Sequence, residues 1–272
     1  MLQASIPKRR ESAWSTESRG LIAPINPRVH RYAGHVGALQ IRRDWFGDAA
    51  LPYVEAWNLQ RELLDQRAND EIGDVALLLE HPPVYTAGKR TDPHERPQDG
   101  TPVIDVDRGG KITFHGPGQL VGYPITKLPS HVLVVDYVRR VEEALIRGVA
   151  ELGVQAGRVP GRSGVWLAAS AGLSERKIAA IGIRVTRGVT MHGFSLNANV
   201  DLGWYDRFVP CGISDAGVTT LTKELGRDVS VAEAADAVTP HLRELLAWQT
   251  YAASPDIDQA PALAIPVGAV GA

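Results

Sequence analysis

The chain of 272 residues contains a single cysteine, Cys211. One thiol has no intrachain disulfide partner and cannot build a multi-cysteine metal site, which leaves it two roles, buried filler or nucleophile. Long apolar runs are lacking too: no stretch approaches the about 20 residues of a membrane span, and Gly20 to Ile25 is too short for a secretory signal. Neither charge is in excess. With 29 basic and 31 acidic residues the formal charge is -2, which argues against nucleic acid and membrane surfaces and for small molecules or proteins as partners. No Gly-Lys-Ser/Thr and no Gly-x-Gly-x-x-Gly opens a helix, so nucleotide binding loses ground. One cysteine and no export signal are expected of a cytoplasmic protein.

What is present is a hydrophobic fraction of 44%, enough to bury a large core, read as one domain with different composition at its two ends. Residues 1–31 carry Lys8, Arg9, Arg10, Arg19, Arg28 and Arg31 without a sustained period and are expected to form a flexible basic extension. A targeting peptide is the other reading of that arm, disfavoured by Glu11, Glu17 and several prolines. From Ser254 to Ala272 there is no basic residue, and Pro255, Pro261 and Pro266 punctuate a tail expected to be disordered or to lie along the surface.

Between the ends, helical and strand periods alternate. Leu51, Val54, Trp57, Leu59 and Leu63 predict an amphipathic helix over 49–68, and Val75 to Glu80 a strand ended by His81-Pro82-Pro83. Val134, Tyr137, Val138, Val141, Leu145, Val149 and Leu152 predict a second helix, with Arg139, Arg140, Glu142 and Glu143 turned outward. Strands are expected at 165–167, 178–185 and 189–197, the last two joined by a turn at Thr186-Arg187-Gly188, and a last helix over 231–248. This mixture predicts an α+β domain with a largely antiparallel sheet flanked by helices.

Chemistry concentrates in Arg108-Gly109-Gly110-Lys111-Ile112-Thr113-Phe114-His115-Gly116-Pro117-Gly118-Gln119. Glycine lets backbone N–H groups approach a thin ligand, although tight turns demand the same residues. Lys177 precedes an apolar run and is either a desolvated lysine of lowered pKa or a solvated strand-edge residue. His115 and His192 fit acid/base groups, orienting partners or satisfied core histidines.

The segment Arg108 to Tyr123 resembles the signature of the octanoyltransferases of lipoate biosynthesis. Leu79 to Gly88, Gly164-Val165-Trp166, Lys177 to Gly182, His192 to Asn197, Asp201-Leu202 and Pro210-Cys211-Gly212-Ile213 match the same family in content and order, from about Leu51 to Leu245. The resemblance implies a catalytic domain over 32–253 with a fold shared with lipoate and biotin protein ligases and a tunnel for an acyl chain. It implies that Cys211 is the nucleophile, which carries the acyl group as a thioester, and that Lys177 lowers its pKa and moves protons. It places Arg108, Gly109, Gly110, Lys111, Ile112, Thr113, Phe114 and His115 in a substrate-contacting loop. Ala180, Ile181 and Gly182, with Gly193, Phe194 and Ser195, fall on two other lining segments. Ser195 stands where alanine is more usual. Ile178, Ile181 and Phe194 are the expected tunnel walls, His115 a positioner of the substrate loop, and His192 an ordering group behind the residues that touch substrate.

The implied partners are octanoyl-acyl carrier protein as donor and, as acceptors, lipoyl domains of 2-oxoacid dehydrogenase E2 subunits and the glycine cleavage H protein. No cofactor, ATP or metal is implied, because the thioester is already activated. Two rivals remain: an ATP-dependent lipoate or biotin ligase on the same fold, and a catalytically silent module that binds acyl carrier protein or a lipoyl domain.

Overall fold

The structure is a computed structural model that describes residues 38–97, 101–170, 172–208 and 216–257. Cys211, the N-terminal extension and the expected tail beyond 257 lie outside the described residues.

The chain opens with β1 (Gln40–Trp45), α1 (Tyr53–Ala68), β2 (Val75–Leu79) and β3 (Val84–Ala87), followed by β4 (Val103–Asp105), β5 (Thr113–His115) and β6 (Gln119–Ile125). Helix α2 (Val134–Glu151) leads to β7 (Gly157–Val159), β8 (Arg162–Leu167), β9 (Arg176–Thr186) and β10 (Val189–Asn197). Strand β11 (Gly217–Val218) and helices α3 (Leu221–Leu225) and α4 (Val231–Leu245) complete it. The main sheet runs β1-β2-β6-β10-β9-β8-β7, with β11 alongside β9. Only the β1–β2 and β9–β11 pairs in it are parallel, so the expected largely antiparallel α+β architecture is what the chain adopts. A small sheet, β4-β3-β5, lies apart from it.

Strand periodicity decides what each face covers. In β2, Ala76 and Leu78 join the core under α2 and α4, whereas Val75, Leu77 and Leu79 join the cluster under α1. Leu120 against Val121, Tyr123 and Ile125 divides β6 the same way. A sheet buried on both faces reads as continuous apolar sequence, as Val75 to Leu79 does. The β9–β10 hairpin closes through Arg187 (φ 55°) and Gly188 (φ 75°), the paired left-handed residues that a two-residue turn of right-handed twist requires.

Two expectations need correction. Helix α1 starts at Tyr53 behind Pro52, and its buried face is Tyr53, Ala56, Gln60, Leu63 and Leu64, not the stripe through Val54, which is 50% exposed. Tyr53 and Gln60 sit inside because they serve a polar cavity and a backbone N–H, as described below. In α2, Glu142 and Glu143 are fully buried rather than outward, because that flank of the helix packs on β8 and meets Arg158 of β7. Residues 254–257, at the start of the segment expected to be disordered or to lie along the surface, are partly exposed and held at the surface: Ser254 bonds Glu143, and Ile257 N–H donates to the Arg158 carbonyl. No helix among the described residues is long and apolar enough to cross a membrane.

Candidate active site

A cavity of about 430 Å³ lies between the glycine-rich segment and strands β9 and β10. Its roof is the loop from Arg108 into β5, fixed in place by backbone bonds that include Gly88 N–H to the Lys111 carbonyl at 3.4 Å. Gly109 N–H donates to the Ile183 carbonyl at 3.1 Å, Lys89 N–H to that of Arg108 at 3.2 Å, and Arg90 N–H to that of Gly110 at 3.1 Å. A Cβ on Gly88 would stand 2.5 Å from the Gly110 oxygen and 2.6 Å from Arg108 Nη1, so only glycine lets the roof close on β3.

Arg108, buried to 7% exposure, is the staple of this roof. One guanidinium nitrogen donates to the carbonyls of Gly109 (3.0 Å) and Lys111 (2.8 Å), the other to the Thr86 carbonyl and hydroxyl, both at 2.8 Å. The rigid fork of arginine suits four acceptors in this arrangement. Lys111 is paired with Glu95. Residues 109–113 and His115 also line the cavity. Phe114 does not: β5 alternates, so its ring turns away to stack on Trp204 at 4.9 Å and to pack against Tyr85.

The floor comes from the hairpin. Ala180 faces Ser195 across the ladder, Ile181 faces Phe194, and Gly182 faces Gly193. All six line the cavity. Ile178 lies in the core on the helical side instead, because the β8–β9 register shifts beside it.

His115, Tyr53 and Tyr123 bring polar groups to the cavity wall, and a chain of side-chain amides stands behind His115. Asn197 donates to the Thr219 carbonyl at 3.0 Å, Gln119 donates to the Asn197 side-chain oxygen at 2.9 Å, and His115 Nδ1 donates to Gln119 Oε1 at 2.7 Å. This amide chain assigns the proton of His115 to Nδ1 and leaves Nε2 an acceptor. Burial, reinforced by the neighbouring His81, holds the pKa of His115 well below the usual histidine range. His81 donates from Nδ1 to the Leu51 carbonyl and accepts at Nε2 from the Tyr123 hydroxyl at 2.7 Å. Its pKa falls to about 4 through burial. Tyr53 and Tyr123 wall the cavity as neutral phenols, Tyr53 pushed up to about 12 and Tyr123 also raised by burial.

Two charged features mark the ends. At one, His192 adopts φ 59° within β10 and places Nε2 2.7 Å from Asp107 Oδ1, while its N–H donates to Gln60. Burial depresses the His192 pKa against the opposing pull of Asp107. Burial also acts to raise Asp107, but His192 and Arg184 outweigh it and hold the carboxylate low. At the other end stands Lys177, half-buried in β9, its ammonium 4.4 Å from the centroid of the Trp166 ring. A smaller cavity continues there, lined by Thr113, Lys177 and Ser195 and by Ala216, Gly217 and Val218. Ala216 is the first described residue after the segment that carries Cys211, and Phe208 the last before it.

The structure thus gathers fifteen of the eighteen residues singled out in sequence, leaving Phe114 and Ile178 in neighbouring cores and Cys211 outside the described residues. Tyr53, Asp107, Gln119 and Asn197 were not singled out. Gln119 and Asn197 stand in the quoted motifs, whereas nothing local marks Tyr53.

A cavity of about 430 Å³ with polar walls, small residues on its floor and a lysine on its border, set in a mixed sheet between helices, is the candidate active site of this domain. Residues 52–243 match the Lipoyl protein ligase A/B catalytic domain family. Over 211 residues the chain is 58% identical to an octanoyltransferase of Thermobifida fusca, covering 76% of this chain and 89% of that protein. Over 196 residues it is 65% identical to one of Salinispora tropica, covering 72% and 92%. Among solved structures it resembles a bi-partite lipoate protein ligase from Thermoplasma acidophilum, solved in a study of that ligase and its E2 lipoyl domain (TM-score 0.55, 17% identity, 78% and 84% covered). It also resembles a lipoate-protein ligase A bound with ATP (TM-score 0.52, 16% identity, 78% and 86% covered). At such identities these likenesses establish the shared fold alone. The chain belongs to the lipoyl protein ligase A/B catalytic domain family and, within it, to the octanoyltransferases, acyltransferases that move octanoyl groups in lipoate biosynthesis.

Proposed function

We propose that the protein takes the octanoyl group from the phosphopantetheine thioester of acyl carrier protein and delivers it to a lysine ε-amine of a lipoyl domain, through a thioester on Cys211. The observation that carries this reading is the position of Lys177, where the acyl-sized cavity meets the residues that follow the Cys211 segment. The kinship with octanoyltransferases supports it.

In the first step the Cys211 thiolate attacks the thioester carbonyl, the carbon–sulfur bond to pantetheine breaks, and the departing sulfur takes up the proton that Cys211 lost. One thioester replaces another, so no ATP and no metal are required. A free cysteine is only a few per cent ionised near pH 7, and the Lys177 ammonium raises that fraction by stabilising the anion. In the second step the lysine amine of the lipoyl domain attacks the acyl-enzyme, a carbon–nitrogen bond forms, and Cys211 leaves. Lys177, left neutral once the pantetheine sulfur has taken its proton, accepts one proton from the amine and passes it to the departing thiolate. Backbone N–H groups of the glycine-rich segments stabilise the oxyanion in both steps. Arg108 and His115 hold the roof over the chain, and Gly182 and Gly193 with Ala180 and Ser195 leave room for it.

Intact mass after mixing the protein with octanoyl-acyl carrier protein, without ATP, tests the proposal. An octanoyl adduct that hydroxylamine removes and that Cys211→Ser prevents is the expected result. An adduct that forms only with free octanoate and ATP would overturn it in favour of a ligase.

A further inference from the structure

Lys177 is shaped from behind by residues that do not line the main cavity. Its carbonyl accepts from Thr219 N–H at 3.0 Å, and Trp166 lies opposite it in the β8–β9 ladder. Its stem runs across Gly164: a Cβ there would stand 3.4 Å from Lys177 Cε and 2.5 Å from the Ala179 oxygen, and φ is +118°. Only glycine serves at such a position. The N–H of Gly164 donates to Oε1 of Glu142 at 3.0 Å, from a side chain of α2 with no solvent exposure.

Glu142 is the near end of a buried ionic cluster. Its Oε2 accepts from Arg139 at 2.8 Å and lies 3.2 Å from Nε of Arg158, close enough for attraction though not aligned as a hydrogen bond. Arg158, on β7, donates to Glu143 at 2.6 Å and to the Ser254 carbonyl at 2.9 Å. Glu143 also accepts from Arg147 at 2.8 Å and from the N–H and hydroxyl of Ser254 at 3.0 and 2.9 Å. The charged groups that face Glu142 are therefore Arg139 and Glu143 of its own helix and Arg158 of β7, and β8 contributes the Gly164 N–H. A carboxylate is expensive to bury, and an apolar side chain would pack this flank without that cost. What the carboxylate alone supplies is one oxygen for the guanidinium groups and a second for Gly164.

We propose that Glu142 is a positioning residue for Lys177, acting through Gly164, and that Ser254 locks the cluster from the far side. The inference rests on the reading of Lys177 as the group that lowers the Cys211 pKa. A glutamine side chain has one oxygen for two demands, so Glu142→Gln releases either the guanidinium groups or the Gly164 N–H.

The test is the pH dependence of Cys211 alkylation by iodoacetamide in the full-length chain, where one cysteine makes the signal unambiguous. In the parent the midpoint lies below the about 8.5 of a free thiol, and Lys177→Ala raises it. Glu142→Gln raises it part of the way, reducing alkylation at pH 7 about three-fold if the midpoint moves by about half a unit. Ser254→Ala, a milder change, moves it in the same direction by less. The double variant Glu142→Gln/Lys177→Ala has the midpoint of Lys177→Ala alone, because both changes act through one lysine. A purely structural loss would lower the folded fraction and leave the midpoint in place. Unchanged midpoints in folded Glu142→Gln and Ser254→Ala, or shifts that add in the double variant, would overturn the inference while leaving the lysine reading standing. An unchanged midpoint in Lys177→Ala would remove that reading, and this inference with it.

Discussion

Replacing Arg108 by methionine separates a roof staple from a residue that merely touches substrate. Among the described residues the guanidinium donates to four acceptor atoms, two of them on a Thr86 that has no solvent exposure. Gly109 and Lys111 are partly exposed, so water replaces much of what their carbonyls lose. The Thr86 bonds have no such substitute. At about 1.5–3 kcal/mol for each of the two Thr86 hydrogen bonds to this charged donor, Arg108→Met is expected to cost about 3–6 kcal/mol. For a domain of this size that lowers the melting temperature by roughly 10 °C. Arg108→Lys recovers part of the loss, since one ammonium cannot span four acceptors held for a planar fork. The assay pairs urea unfolding with octanoyl transfer at saturating donor. A staple predicts that stability and turnover fall together, with lysine intermediate in both. If Arg108→Met kept stability within about 1 kcal/mol of the parent while KM for the donor rose, the stapling argument would be refuted and the charge assigned to substrate contact.

Three other outcomes follow from the same geometry. Gly88→Ala drives a methyl group into the Gly110 carbonyl and the Arg108 side chain, and should cost octanoyl transfer at least ten-fold through a displaced roof; a fully active variant would show that the loop yields freely. His81 has a folded pKa of about 4 against 6.5 when exposed, so between those values the unfolded chain binds the extra proton and stability falls as pH falls. At pH 5 the loss from this group is about 2 kcal/mol relative to pH 7, and His81→Asn should show a flatter acid limb in urea titrations at the two pH values. Ser195→Ala removes a hydroxyl from the cavity wall without opening a void, and should leave stability within about 0.5 kcal/mol and octanoyl transfer within two-fold of the parent; a large loss would assign the hydroxyl a contact with the acyl carbonyl.

Much of the fold was legible where a residue's surroundings are set by its neighbours in sequence. The β9–β10 hairpin declares itself through Thr186-Arg187-Gly188, and α2 through Tyr137, Val141, Leu145 and Val149, all fully buried on one face. The errors arose where a distant partner decides. Glu142 and Glu143 look like solvent-facing residues until Arg158 and Ser254 come against them from β7 and the C-terminal segment. Val54 fits an apolar stripe, yet the helix turns Tyr53 and Gln60 inward because the cavity and the His192 N–H need them. The site was legible as motif: the glycine-rich roof, the Ala180 and Gly193 segments and Lys177 all border one cavity. Period and composition gave no sign that Phe114 would face the opposite side of a three-residue strand, or that Ile178 would fall behind a register shift.

The central claim is that Cys211 carries the octanoyl group between donor and acceptor, and a chase of the isolated acyl-enzyme tests it most directly. Octanoylated protein, freed of acyl carrier protein and without ATP, is mixed with a lipoyl domain, and the masses of both proteins are followed. The account predicts that the octanoyl mass leaves this chain and appears on the lipoyl domain as a hydroxylamine-resistant amide at a single lysine, in one turnover. An acyl group that stays on the protein, or leaves only as free octanoate while the lipoyl domain is unmodified, would contradict it.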